Sequence, residues 1–187
     1  MTPELAVPDA VPESKPGTST STNPNAASKT AALVELLIQR RLSMATAESL
    51  TGGGLAAEFA GVPGVSAVFQ GGVVAYQNAI KAVVLGVPTE LLATVGSVDG
   101  EVARQMALGS CRVMKSRVGI ATTGAAGPEP HDGKAVGTVF VAVALDGEAS
   151  FRECHFAGSR AEIRTQAVHA ALDLLAEVLG ASQQTLG

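Results

Sequence analysis

From residue 29 onward the apolar positions recur with two different periods, and the switches between them divide the chain into helices and strands. Leu33, Leu36 and Leu37 share one helical face, with Ala32 and Arg40 keeping the spacing, so a helix is expected over 29–40. A short strand follows at 44–48. Residues 51–60 read as a helix opening on three glycines and ended by Val62-Pro63-Gly64. The stretch 65–76 is strand-like, and Gly71-Gly72 permits a bulge or a close backbone approach there. A short helix over 78–85 stops at Gly86, and Pro88 opens another that runs to 94. Asp99 is a plausible N-cap for a helix over 100–115.

The second half reads as strand, loop, hairpin and helix. A strand is expected at 118–123, a glycine- and proline-bearing loop at 124–135, and an apolar strand at 138–145. Asp146-Gly147 is the strongest short-range hairpin signal, with 150–156 pairing back. A long helix over 160–179 closes the domain. Five strands with helices between most of them imply an α/β fold: a three-layer α/β/α sandwich on a mixed, mostly parallel five-stranded sheet with one antiparallel hairpin. No internal repeat is visible.

Residues 1–28 have a different character. They hold five of the nine prolines and the run Gly17-Thr18-Ser19-Thr20-Ser21-Thr22-Asn23. Such a stretch buries too little apolar surface to offset its ordering entropy. It is expected to be a flexible tail, with the folded domain at 29–187.

Composition narrows the function classes. Hydrophobic residues make up 47% of the 187 and aromatic ones only 3%, with no Trp, so small aliphatic side chains must fill the core. The 13 basic residues form no run against 17 acidic ones, and the net charge is −4. Nucleic-acid binding needs clustered Lys and Arg and is not expected. No apolar run reaches the roughly 18–20 residues that cross a bilayer. Thr2, Pro3 and Glu4 open no signal peptide. The chain is therefore expected in the cytoplasm, away from membranes. Cys111 and Cys154 lack metal-ligand spacing and read as reduced, buried thiols. His131, His155 and His169 show neither triad nor metal spacing and are expected to be non-catalytic.

Four stretches can carry chemistry. In Glu48-Ser49-Leu50-Thr51-Gly52-Gly53-Gly54 a strand passes into a helix. Ligands bind at the carboxyl ends of strands in open α/β sheets, where helix amides offer an anion site. The same residues also read as a plain helix cap with a glycine-rich turn. Tyr76, the only tyrosine, precedes Lys81 by five residues. A neutral lysine can activate a serine, but a reference pKa of ~10.4 must fall by roughly 3 units, about 4 kcal/mol, for neutrality near pH 7. A solvated surface lysine is the plainer alternative. Thr123, Gly124 and Gly127 belong to a loop just past a strand, either a simple connection or a ligand lid. Arg160 and Arg164, one turn apart at a helix start, read as a phosphate clamp or as surface charge.

In this order the stretches resemble the CinA C-terminal domain family, from about Thr30 to Leu179. The resemblance is carried by Ala47-Glu48-Ser49, Thr51-Gly52-Gly53, Val62-Pro63-Gly64-Val65-Ser66, Gly71-Gly72-Val73-Val74, Tyr76, Asn78 and Lys81. It continues through Leu85-Gly86-Val87, Glu101-Val102-Ala103, Met106-Ala107, Thr123-Gly124, Ala126-Gly127-Pro128, Val136-Gly137-Thr138, Gly158, Arg160 and Arg164. The resemblance implies an amidohydrolase that converts nicotinamide mononucleotide to nicotinate mononucleotide and ammonia. It implies Ser49 as nucleophile, Lys81 as its base and Tyr76 as an assisting hydroxyl. Thr51, Gly52 and Gly53 would bind an anion through their amides. Thr123 and the 124–128 loop would line the substrate, and Arg160 or Arg164 would meet its phosphate. No metal or cofactor is implied; the partners are a small nucleotide substrate and, by family habit, further copies of the chain in a homo-oligomer.

The chain departs from the family pattern in places. Leu50 stands where the family often has Cys, and Gln77 where it often has Ser. The loop after Pro128 is short, lacks the usual Asp-Gly-Gly, and has Ala135 in place of a usual proline. A non-catalytic member that binds a nucleotide or a partner protein, linked to competence or DNA damage, is the alternative reading. An esterase or amidase for another small substrate would share the mechanism.

Overall fold

The computed structural model describes residues 24–184, with side-chain surroundings for 29–180. Helix α1 (Pro24–Gln39) leads to strand β1 (Met44–Glu48), α2 (Gly54–Ala60), a 3-10 turn (Val65–Ala67) and β2 (Phe69–Val74). Three helices follow: α3 (Asn78–Val83), α4 (Thr89–Val95) and α5 (Gly100–Met114). Strands β3 (Val118–Gly124), β4 (Thr138–Leu145) and β5 (Glu148–His155) precede the final helix α6 (Arg160–Gln184).

One sheet runs β2-β1-β3-β4-β5. β1 pairs in parallel with β2 and with β3, whereas β4 is antiparallel to β3 and to β5. β4 alone is reversed, so the sheet is mixed and mostly parallel in strand direction. β1 lies inside the sheet, and all five of its residues are buried. Met44, Ala45, Thr46 and Ala47 are the apolar or small side chains that burial on both faces calls for, and Glu48 is the exception. Along β4, Val139, Val141 and Val143 join the core beneath α1, α2 and α6, while Phe140, Ala142 and Ala144 face α5. The shortage of aromatic residues is met by close approach. A Cβ on Gly119 of β3 would lie 2.2 Å from the Ala107 carbonyl of α5. The expected irregularity near Gly71-Gly72 is a register shift in which Met44 pairs with Phe69 and Ala45 with Gly71.

Several boundaries move, each for a local reason. α1 begins at Pro24, five residues ahead of Lys29, so residues 24–28 of the expected tail are helical backbone. The rest of that stretch lies outside the described residues. α2 begins at Gly54, not residue 51, because Gly52 and Gly53 take φ of 59° and 97°, outside the helical region. The stretch 65–76 divides into the 3-10 turn and β2. The hairpin strand β5 starts directly after Asp146-Gly147, and α6 runs beyond residue 179. Asp99 caps α5, accepting from the amides of Glu101 at 2.8 Å and Val102 at 3.4 Å. Cys111 and Cys154 are free thiols but half-buried, not fully enclosed; burial raises both above the usual thiol range. Among the described residues no helix is long and apolar enough to cross a membrane. Nor does any group of three or more His, Cys, Asp or Glu stand ready to hold a metal ion.

Candidate active site

A cleft of about 320 Å³ opens at the carboxyl ends of β1, β2 and β3. Ser49, Tyr76, Gly124 and Gly127 line it, as does Arg160 from the start of α6. The ladder extends past the strands and fixes this wall: Ser49 N–H donates to the Thr122 carbonyl (2.9 Å) and Ala75 N–H to that of Glu48 (2.8 Å). Ser49 and Tyr76 thus leave adjacent strands side by side. The Ser49 hydroxyl has no hydrogen-bond partner among the described residues.

Glu48, one residue earlier, is buried and spent on structure. Its carboxylate accepts from the amides of Gly53 (3.0 Å), Leu55 (2.9 Å) and Ala56 (2.8 Å) and from the Thr51 hydroxyl (2.7 Å). An internal carboxylate therefore occupies the helix N-terminus where a ligand anion was expected. The expectation that Thr51, Gly52 and Gly53 bind an anion does not hold. Thr51 is buried and also bonds Thr122, Gly52 N–H goes to the Ser49 carbonyl, and none of the three lines the cleft. Their geometry has another product: the tight turn holds Ser49 at the cleft wall.

Lys81 is 1% exposed, with its side chain enclosed although α3 presents Ile80 and Val83 to solvent. Its only hydrogen bond among the described residues runs from Nζ to the Tyr76 carbonyl at 3.4 Å, a weak contact. Burial pulls its pKa down from the ordinary lysine value to about 8, against an opposing pull from the Asp132 carboxylate. This lysine is not the solvated surface residue that a short helix would suggest.

The two arginines separate. Arg160 donates to the Tyr76 hydroxyl and to the Gly127 carbonyl, both at 2.6 Å, on the cleft wall. Arg164 turns away, clamping the carbonyls of Leu50 (2.9 Å) and Thr51 (2.6 Å). It braces the serine turn from outside the cleft. Of the two arginines, Arg160 is thus the one that lines the cleft. Thr123 is also withdrawn; it is buried and its hydroxyl donates to the Ser97 carbonyl (2.6 Å). The loop residues Gly124, Ala125, Ala126 and Gly127 do line the cleft, and His131 sits on its rim.

Sequence reasoning missed Ser97 and Asp132. Both line the cleft, and the Asp132 carboxylate accepts from the Ser97 hydroxyl (2.7 Å) and the Ser97 amide. Burial opposes the charge on Asp132, but these hydrogen bonds hold its carboxyl below the usual range. Asp132-Gly133 forms a tight turn, with φ of 49° and 71° and paired hydrogen bonds between His131 and Lys134. The dipeptide Asp-Gly, already singled out at 146–147, is the signal that would have found it.

A three-layer α/β protein whose serine leaves an inner strand at the sheet's carboxyl edge, next to a tyrosine whose carbonyl meets a buried lysine, defines a class with a candidate nucleophile and base. The CinA C-terminal domain matches residues 26–179, and the chain belongs to that family. A CinA-like protein of Frankia casuarinae is 44% identical over 144 residues, covering 77% of this chain and 33% of that protein. A putative competence-damage inducible protein of Clostridium beijerinckii is 41% identical over 148 residues, 79% of this chain and 36% of that one. The chain thus spans about a third of the length of the curated relatives it matches. Among solved structures, a CinA superfamily protein of Klebsiella pneumoniae superposes with a TM-score of 0.80 at 33% identity, covering 83% of this chain and 98% of that one. The competence/damage inducible protein CihA of Agrobacterium tumefaciens gives 0.81 at 33% identity, covering 87% and 99%.

Proposed function

We propose that the chain is an amidohydrolase that converts nicotinamide mononucleotide to nicotinate mononucleotide and ammonia. The observation that carries this reading is Lys81: buried, its pKa pulled down by desolvation to about 8, and joined by a weak hydrogen bond to the carbonyl of Tyr76, which lines the same cleft as Ser49. Neutral Lys81 takes the Ser49 hydroxyl proton as Oγ attacks the carboxamide carbon. The C–N bond then breaks, the amine leaves as ammonia with that proton, and water hydrolyses the resulting ester to release the acid and free Ser49. Arg160 meets the nucleotide phosphate, and its bond to Tyr76 ties that contact to the wall beside Ser49. The relatives named as competence-damage inducible proteins support a link to competence or damage, and a second reading is a member that binds a ligand or partner without turnover.

Ammonia release from nicotinamide mononucleotide separates the two. Wild type is expected to release it, and Ser49→Ala to fall to background. No release by wild type overturns the amidase, and release surviving in Ser49→Ala overturns the serine mechanism. With Lys81 as base the rate should rise with pH. About one-tenth of the lysine is neutral at pH 7 and about half at pH 8, so the rate should rise roughly fivefold between them and level off above pH 9. A flat profile from pH 6 to 9 counts against Lys81.

A further inference from the structure

Given Ser49 as the nucleophile of an amidase, we propose that the Leu50 backbone amide is the donor that receives the oxyanion, and that Arg164 is the positioning residue that aims it. As Ser49 Oγ bonds to the carboxamide carbon, the carbonyl π pair moves onto oxygen and the hydroxyl proton passes to Lys81. The pair returns when the C–N bond breaks and ammonia leaves with that proton. A fixed N–H beside the nucleophile, in place before the charge forms, stabilises it far more than water would.

Around Ser49 the turn engages its carbonyls and leaves an amide free at the cleft. The Ser49 carbonyl accepts from Gly52 N–H (3.1 Å). Arg164 donates from Nε to the Leu50 carbonyl (2.9 Å) and from a terminal nitrogen to that of Thr51 (2.6 Å). Most amides of the turn are engaged too: that of Ser49 with the Thr122 carbonyl, that of Gly53 with the Glu48 carboxylate and that of Gly54 with the Thr51 carbonyl. The amides of Leu50 and Thr51 donate to no group among the described residues. Of the two residues only Leu50 lines the cleft, beside Ser49. Its side chain belongs to the core and its carbonyl to Arg164, so the N–H is the polar group it has left to present there. Leu50 is 4% exposed, and a buried amide without an acceptor is rare and costly unless a ligand supplies one. A trans peptide points its N–H and C=O to opposite sides. The Leu50 N–H therefore points away from the Ser49 carbonyl, out of the turn that Gly52 closes. Arg164 fixes the next peptide from behind: it lines a separate crevice with Thr51, Gly54 and Thr165, which neither Ser49 nor Leu50 reaches.

Replacing Leu50 in the full chain by its α-hydroxy acid turns one amide into an ester and deletes this N–H. Because the N–H has no acceptor in the fold, the urea midpoint should hardly move. The kcat for ammonia release should fall about 100-fold, with KM within about twofold of wild type. Backbone amide relaxation by NMR reads the role of Arg164 without recourse to turnover. The Leu50 and Thr51 amides should have order parameters of about 0.85 in wild type and below about 0.6 in Arg164→Met, with Ile120 of β3 unchanged as the sign of an intact sheet. Arg164→Lys, which reaches one carbonyl at a time, should fall between the two in order and in kcat. An ester at position 50 that keeps kcat overturns the oxyanion role. Unchanged order in Arg164→Met, or lost order with kcat kept, overturns the role of Arg164. If wild type releases no ammonia, the amidase reading fails and takes the oxyanion role with it, while the order parameters still decide whether Arg164 holds the turn. If ammonia is released and the ester is as active as the amide, only the role of Leu50 fails.

Discussion

Two turns of this chain are built from the same dipeptide and have opposite fates. Asp132-Gly133 takes φ of 49° and 71°, and Asp146-Gly147 takes 51° and 92°. Each puts two residues in the left-handed region, which suits a two-residue hairpin turn. Asp146-Gly147 joins β4 to β5, and the Asp146 carboxylate faces solvent in a two-pronged pair with Arg117, at 2.7 and 2.6 Å. Asp132-Gly133 closes a single bridge between His131 and Lys134, and its carboxylate turns inward onto Ser97. The dipeptide decides the turn. The surroundings decide whether its carboxylate is a surface charge or part of a site.

The sharpest break in that comparison removes Lys81, the buried charge whose only hydrogen bond among the described residues goes to the Tyr76 carbonyl, on the cleft that the inward turn lines. Lys81→Met should lose all amidase activity, and it should also stabilise the protein at pH 7. The folded chain holds this lysine near 8 against an ordinary 10.5, so between those values the unfolded chain binds more protons and wild-type stability rises with pH. Below pH 8 both states are protonated and the folded state bears the full penalty, on the order of 3 kcal/mol. Methionine fills a similar space without it. Urea unfolding at pH 7 and at pH 10 should show the variant's advantage large at the first and shrinking at the second. A variant less stable than wild type at pH 7 would mean that the ammonium is better compensated than its single weak contact suggests.

The same contrast explains how far the sequence could be read. Asp146-Gly147 stands between two apolar runs whose alternation announces a hairpin, and β4 falls at residues 138–145 as expected. Asp132-Gly133 stands between Pro130-His131 and Lys134-Ala135, where no strand pattern exists, so the same signal passed as loop. Of the residues that order along the chain and the family resemblance grouped, Ser49, Tyr76 and Arg160 line one cleft, and Lys81 meets the Tyr76 carbonyl. Order and resemblance failed where burial reassigns a polar group. Glu48 reads as one more charged residue beside a serine, yet it fills the helix N-terminus that was assigned to a ligand. Thr123 and Arg164 are likewise turned to structural partners by contacts more than 20 residues away in sequence. No local pattern encodes such pairings.

A second test compares glycines at the docked and the free turn. Gly96→Ala would force a Cβ against Asp132 at 2.6 Å and hold φ of 78° with ψ of −172°, a region essentially reserved for glycine. Gly147→Ala meets nothing within 4 Å and carries only the strain of its φ. The first should cost about 2–3 kcal/mol and lower the rate of ammonia release, as the Asp132 side of the cleft is displaced. The second should cost about 1 kcal/mol and leave that rate unchanged. Equal costs and equal rates would erase the distinction between the two turns.

The smallest expected effect lies at the outward carboxylate. Asp146→Asn keeps a residue type that tolerates the left-handed conformation and removes only the charge. The Asp146 and Arg117 side chains are half exposed, at 50% and 51%, so water and salt screen the pair heavily. The loss at pH 7 should stay within about 1 kcal/mol and shrink further in 0.5 M salt, on the order of a surface pair. The hydrogen bond from Arg117 holds the Asp146 carboxyl below the usual range, so its contribution is present at neutral pH and fades as acid protonates the folded form. The difference between variant and wild type should therefore close toward pH 3. Catalysis should not change. A loss of rate in Asp146→Asn would show that the outward carboxylate also serves the site.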